Sequence, residues 1–195
     1  IDLAPTVCLR GNHDHAVATG VLDDTMNRVA GEVARWTSDR LSTTEREWLA
    51  GLALEHQGHG WMAVHGAPRD PHRFQAYVYE LTFRDNLDHM RERGRSLCFY
   101  GHTHVPFVHR GTTDGSKERL GAHDLTMHAA DALLVNPGSV GQPRDGDPRA
   151  AFLLWDRAEQ RLSFQRTAYR VEDTLRDLTR LGLPRDLAFR LEIGR

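Results

Sequence analysis

The sequence lacks several features that would assign it at once to a class of protein. It contains no run of eighteen apolar residues, so no transmembrane helix is expected, and no charged-then-apolar leader directs export. Lys and Arg total 25 against 27 for Asp and Glu, a formal net charge of −2, and no basic stripe indicates a nucleic-acid partner. The remaining composition, 39% hydrophobic and 27% charged, is typical of a soluble globular domain.

Cysteine is also scarce. Cys8 and Cys98 are the only two, and each lies in an apolar run. This predicts buried, reduced thiols in neighbouring strands and a cytoplasmic protein rather than a disulfide. Without C-x-x-C spacing, no two-cysteine metal site is expected.

The chain of 195 residues has the length of one domain. It opens at Ile1, without Met, and enters the apolar run "TVCL" after five residues. We therefore expect residues 1–195 to be a single domain whose N-terminal portion is missing.

Short β-rich runs alternate with helical stretches, which predicts a layered α/β domain. Strands are expected in 6–9, "WMAV", "SLCFY", 105–110, 120–128 and 132–135, with a hairpin that turns near Ala158. Helices are expected from Asp23 or Asp24 to about Leu41, from the capping box "STTE" to near Gly51, over 80–93 and over 171–181, with a short one after it.

Three of the predicted strand ends carry histidine or asparagine. They hold Asn12 with His13, then His65, then His102 with His104. Loops at strand ends converge on one edge of an α/β sheet, so these side chains are expected to meet there. The hypothesis requires the rings of His65 and His102 to be close together.

The spacing of His102 and His104 suits metal binding. In extended chain, residues two apart point to the same face, with roughly 7 Å between their α-carbons. Such a pair can grip one ion or two neighbouring ions, and paired hydrolytic metals lie about 3.5–4 Å apart. Imidazole and amide ligands suit Mn, Fe, Zn, Ni or Co.

These residues belong to motifs that resemble a known family. "GNHD", "VHG" and "GHTH", in that order, followed by "LLVNPGSVGQPRDGDPRA", resemble the later motifs of the calcineurin-like metallophosphoesterases, in the bacterial branch near the small phosphodiesterases. The resemblance runs from Cys8 to about Arg170. It implies an α/β fold in four layers, a sandwich of two mixed β-sheets flanked by helices.

The resemblance also implies roles for individual residues. Asn12, His65 and His102 match ligands of a second metal ion, and His104 matches a ligand of the first. His13 matches the histidine that stabilises the transition state or protonates the leaving oxygen. Asp14 matches the residue that orients it, and a carboxylate beside an imidazole favours its charged form.

The implied reaction is hydrolysis of a phosphoester substrate by in-line attack of a metal-bound hydroxide, with two divalent ions as cofactors. A phosphodiester, a nucleotide and a phosphorylated protein side chain all remain open as substrates. The family's D-x-H and G-D motifs precede "GNHD", but here they occur only after it, at Asp70–His72 and Gly146–Asp147. We interpret those two segments as ordinary loops, and we expect little or no activity from the chain alone.

Two alternatives stay open at this point. The fold also serves as a metal-free binding scaffold, as in the retromer subunit that resembles these enzymes. A single structural metal on the same four ligands ranks last, because asparagine is a poor ligand for structural zinc.

Other polar residues are expected to be solvated or structural. Among the twelve histidines, those expected in solvent are His56, His59, His72, His89, His109, His123 and His128. For Arg69, Arg144 and Arg149 solvation is favoured over phosphate contact. The small-residue run "NPGSVG", 136–141, is expected near the site without supplying a ligand.

Overall fold

The computed structural model describes residues 7–22, 26–74 and 76–195. Its helices are Asn12–Thr19 (α1), Arg28–Ser38 (α2), Thr43–Gly51 (α3), Phe83–Glu92 (α4), Val171–Arg180 (α5) and Arg185–Ile193 (α6). Its strands are Glu55–Gln57 (β1), Trp61–Val64 (β2), Leu97–Tyr100 (β3), Phe107–Gly111 (β4), Lys117–Arg119 (β5), Leu125–Thr126 (β6), Ala132–Asn136 (β7), Ala150–Asp156 (β8) and Arg161–Thr167 (β9).

The larger sheet is mixed, with the strand order β1-β2-β3-β7-β4-β5. Strands β2, β3 and β7 run parallel to one another, and β1, β4 and β5 pair antiparallel with their neighbours. Val64 of β2 lies opposite Tyr100 of β3, so the loops that leave these two strands begin side by side. This register brings two of the histidine-bearing motifs to one edge of the sheet.

Each face of the larger sheet is covered by a different layer. Phe83, Leu87 and Met90 of α4 pack on one face against side chains of β2, β3 and β7. The second sheet, with the order β6-β9-β8 and antiparallel pairing, packs on the other face through residues such as Leu162 and Trp155. The predicted mixed α/β architecture with two packed sheets is confirmed. None of the described helices is both long and apolar enough to span a bilayer.

Most of the predicted elements form, with shifted ends. The Ser42–Glu45 capping box is present, since the Ser42 hydroxyl accepts from the Glu45 amide and the Glu45 carboxylate accepts from the Ser42 amide. The hairpin of β8 and β9 turns at the predicted place. Asp23 and Asp24 lie outside the described residues, and α2 begins instead behind Asn27, whose side chain accepts from the Ala30 amide.

Other predictions are wrong. The strand expected at 6–9 is reduced, within the described residues, to one bridge between Leu9 and Ala53, and Cys8 is exposed rather than buried. The strand expected over 120–128 is only the short β6, because the chain around it turns. His109 is 3% exposed rather than solvated, since β4 is an inner strand of the larger sheet. Cys98 is buried in β3, as predicted.

Candidate active site

Four of the predicted residues come from three chain segments that meet at one end of the larger sheet. Asn12 is the first residue of α1, His65 directly follows β2, and His102 and His104 follow β3. The Gly101 amide donates to the His65 carbonyl at 2.9 Å, which ties the two strand-end loops together. Asn12, His13, His102 and His104 all line one cleft of 360 Å³.

The side chains of Asn12, His65 and His102 converge on one point. His65 Nε2 lies 3.0 Å from Asn12 Oδ1 and 3.0 Å from His102 Nδ1. The predicted proximity of the two histidine rings is therefore confirmed. The ring centroids are 4.9 Å apart at an interplanar angle of 70°, so the rings meet edge to face instead of stacking.

This spacing matches that of ligands on a divalent transition metal. Donor atoms about 2.1 Å from an ion and at right angles around it are about 3.0 Å apart. One amide oxygen and two imidazole nitrogens also form a donor set that such an ion accepts. Asn12 Oδ1, His65 Nε2 and His102 Nδ1 can therefore occupy one side of the coordination sphere of such an ion.

His104 has the orientation expected of a metal-binding histidine. Its Nδ1–H donates to the backbone carbonyl of Gln142 at 2.7 Å, which leaves a lone pair on Nε2. Histidines that bind metals commonly donate their other ring N–H to a carbonyl in this way, and the bond fixes the tautomer and the ring.

The backbone of the "GHTH" loop differs from the extended conformation that we expected. His102 has φ 64° and His104 has φ 61°, so both lie in the left-handed region instead of a strand. The two side chains still line the same cleft, but a tight loop and not the strand repeat brings them there.

A buried asparagine, not identified from the sequence as part of the site, holds this loop in place. Asn136, at the end of β7, is fully buried, and its Nδ2 donates to the Gly101 carbonyl at 2.8 Å and to Thr103 Oγ1 at 2.9 Å. Its Oδ1 accepts from the Gly138 amide at 2.9 Å. Every one of its polar atoms is thus used. In the sequence, the "NPG" turn at the end of the strand indicates that Asn136 lies near the site. It does not indicate that Asn136 binds the "GHTH" loop.

Gly11 is required by the position of His65. A β-carbon at residue 11 would lie 2.7 Å from Cε1 and 2.8 Å from Nδ1 of the His65 ring, closer than non-bonded atoms approach. The glycine therefore lets the "GNHD" backbone pass directly beside the ring, and any larger residue would displace one of the two.

Burial keeps the clustered imidazoles neutral. Desolvation lowers the pKa of His65 to about 4, helped by the positive charges that His104 and His13 would carry. Desolvation also lowers the pKa of His102 to about 4, with His65 as the next cause. The pKa of His104 is lowered as well, by burial and then by Arg144. Neutral imidazole is the form that binds a metal ion.

His13 and Asp14 lie at the start of α1. Loss of hydration and the neighbouring Arg144 lower the pKa of His13, while Asp14 acts in the opposite direction. The Asp14 carboxylate accepts from the Gly11 amide at 2.8 Å and so caps the helix. Its orientation of the His13 ring stays a prediction.

The two segments that contain D-x-H and G-D, Asp70–His72 and Gly146–Asp147, lie apart from the histidine cluster. The Asp147 carboxylate binds the guanidinium of Arg149 at 2.6 Å and faces that of Arg166 at 3.9 Å. Neither Asp70 nor Asp147 lines the cleft. Within residues 7–22, 26–74 and 76–195, no three His, Cys, Asp or Glu side chains form a metal-binding group. The converging trio includes an amide.

Comparisons with known proteins agree with the geometry. The sequence profile of the calcineurin-like phosphoesterase superfamily domain matches residues 1–159. A crystal structure of a metallophosphoesterase from Sphaerobacter thermophilus superimposes with a TM-score of 0.80 at 34% identity, over 99% of this chain and 78% of that one. The fold and the match define a phosphoesterase domain. The chain belongs to the calcineurin-like phosphoesterase superfamily.

One further sequence relative and one further structure of the same fold are named without an activity. An uncharacterized protein of Methanocaldococcus jannaschii is 28% identical over 191 residues, which cover 95% of this chain and 74% of that protein. A hypothetical protein of Pyrococcus horikoshii OT3 shares the fold, with a TM-score of 0.73 at 17% identity, over 96% of this chain and 72% of that one.

Proposed function

We propose that the protein is a metal-dependent phosphoester hydrolase that acts on a phosphodiester or phosphomonoester. Membership of the phosphoesterase superfamily gives the reaction class. The observation that carries the metal dependence is the position of His65 Nε2, 3.0 Å from both Asn12 Oδ1 and His102 Nδ1.

The proposed cofactors are two divalent ions from the group Mn, Fe, Zn, Ni and Co. Asn12, His65 and His102 would hold one ion, and His104 would hold the other through Nε2. Such ions supply a Lewis acid for a phosphoryl oxygen and lower the pKa of the attacking water. Burial of the imidazoles supports this assignment, because a proton competes poorly for nitrogens whose pKa is about 4.

His13 is the proposed residue for the leaving oxygen. It lines the same cleft as His102 and His104. Its lowered pKa leaves the ring largely neutral near pH 7, so its N–H donates a hydrogen bond to the departing oxygen. Asp14 and the negative charge of a bound phosphoester both favour the protonated ring, which is the form that delivers a proton.

Metal analysis combined with an activity assay tests this function. The full-length protein is loaded with each candidate ion, dialysed and analysed for metal content. It is then assayed with bis(4-nitrophenyl) phosphate and 4-nitrophenyl phosphate. Stoichiometric metal and turnover are expected, and both should be lost in His65→Gln. His123→Asn is the matched control, because His123 is exposed and outside the cleft.

The alternative scaffold function gives the opposite result. A folded protein that retains no metal and hydrolyses neither ester would overturn the enzyme proposal and favour metal-free binding. Metal retained without turnover would favour a structural ion. The cytoplasmic location stays a prediction.

A further inference from the structure

Two arginines border the cleft that contains the histidines, and they come from different parts of the chain. Arg144 lies in the loop between β7 and β8, and Arg190 lies in α6. Both line the cleft together with Asn12, His13 and His102. From the sequence, solvation is favoured for Arg144, and no local pattern marks Arg190. The fold brings both to the candidate active site.

Arg144 is fixed relative to His104. The Arg144 amide donates to the His104 carbonyl at 3.2 Å, and His104 Nδ1 in turn donates to the Gln142 carbonyl at 2.7 Å. The Arg144 guanidinium donates to the Gln142 side-chain oxygen through Nη2, at 2.7 Å. These bonds direct the positive charge towards the cleft.

Arg190 is held beside it by the C-terminal end of α6. The Gly146 amide donates to the Gly194 carbonyl at 2.9 Å, so the end of the helix is bound to the loop that carries Arg144. The contact is close, because a β-carbon at Gly194 would lie 2.7 Å from the Asp147 backbone. Arg190 is one helical turn before Gly194, whose amide donates to the Arg190 carbonyl.

The two positive charges are near enough to act on each other. Burial first, and then Arg190, lower the pKa of Arg144. The carboxylates of the same loop are engaged elsewhere, with Asp145 bound to Arg166 and Asp147 bound to Arg149. Among the described residues no carboxylate forms an ion pair with Arg144 or Arg190. Two like charges side by side are stabilised by an anion between them.

We propose that Arg144 and Arg190 bind a second phosphate of the substrate, so that the substrate is a small molecule with at least two phosphate groups. This inference rests on the proposed function, because the histidine cluster takes the phosphate that reacts. The same cleft also has apolar lining residues, Val29, Val33 and Leu187, which accommodate an uncharged part of the same molecule.

Binding of inorganic pyrophosphate and inorganic phosphate tests the proposal without a metal. Affinities are measured by calorimetry in EDTA at pH 7.5. Pyrophosphate should bind at least tenfold more tightly than phosphate, because one of its phosphate groups lies between the two guanidinium groups while the other reaches the histidine cluster. Arg190→Gln should weaken the binding of both anions about tenfold, because each places a phosphate group between the two arginines, and Arg190→Lys should restore part of this affinity.

Arg185→Gln is the matched control. It makes the same change of charge in the same helix, but Arg185 does not line the cleft. Equal losses in Arg190→Gln and Arg185→Gln would overturn the proposal, because net charge alone would then explain the binding. Equal binding of the two anions would overturn it as well.

Turnover of bis(4-nitrophenyl) phosphate separates this inference from the function on which it rests. Turnover without a preference for pyrophosphate would overturn the proposal of a second phosphate and would still support the hydrolase proposal. Anion binding that depends on Arg190 and not on Arg185, without turnover under any metal, supports the arginine pair as an anion site and overturns the hydrolase.

Discussion

Histidines of this protein lie in two kinds of surroundings, and both kinds lower the pKa of the imidazole. His65 and His102 lie at the end of the parallel strands, and His109 lies within β4. Desolvation lowers the pKa of all three to about 4. A lowered pKa therefore does not separate them.

Their neighbours do separate them. His109 is enclosed by aromatic rings, with Phe83 and Phe107 both at 4.7 Å between centroids and the Tyr100 hydroxyl 3.5 Å from its Nδ1. Around His65 the contacts are an amide oxygen and another imidazole, beside a cleft. Convergence of polar atoms on open space marks a site, whereas a ring packed among rings marks a core.

The largest effect is expected at the cluster. His65→Ala should lower hydrolysis on the order of a thousandfold, about 4 kcal/mol in activation free energy, because the proposed ion would lose a central ligand. Metal content should fall with it, while the urea midpoint changes little. Retained metal and activity would contradict the assignment of His65 as a ligand.

His109→Ala should show the reverse pattern. Removing a buried ring from an aromatic cluster leaves a cavity, and the free energy of unfolding should fall by about 3 kcal/mol. Urea denaturation measures this loss, and metal content in the folded variant should remain that of the unsubstituted protein. Loss of metal without loss of stability would remove the distinction between the two regions.

The pH dependence of stability sharpens the comparison further. The pKa of His109 is about 4 in the fold and about 6.5 when unfolded, so its contribution is complete above pH 6.5 and is lost as the pH falls towards 4. Between pH 7 and pH 5 the loss is about 2 kcal/mol. His109→Leu should remove this part of the slope, and unfolding at both pH values measures it. An unchanged slope would show that His109 is solvated.

The smallest predicted effect concerns Asn136. Asn136→Asp keeps the shape but replaces the amide donor to Gly101 and Thr103 with an acceptor, so the "GHTH" loop loses its tether. Turnover should fall about tenfold, or about 1.4 kcal/mol. The KM for bis(4-nitrophenyl) phosphate should change little, and metal affinity should weaken. An equal loss of activity and stability with unchanged metal affinity would indicate a purely structural residue.

The sequence predicted the polar atoms of the site better than their supports. Asn12, His65 and His102 were predicted because each follows a strand and belongs to a short motif. Asn136 and Arg190 were not, because their contacts join segments far apart in the chain and no local pattern encodes them. The prediction that Cys8 is buried in a strand was wrong for a related reason. Its apolar neighbours indicated a strand, but within the described residues that segment forms a single bridge.

The left-handed backbone at His102 and His104 has a consequence for the history of this chain. Each such residue costs on the order of 1 kcal/mol in conformational energy, and glycine would relieve it. If the proposed ions were no longer needed, glycine or asparagine could replace histidine at both positions without harming the fold. Histidine at 102 and 104 together thus works against the conformational preference of the backbone, which makes the identity of these two positions a sensitive marker of whether the proposed chemistry is present.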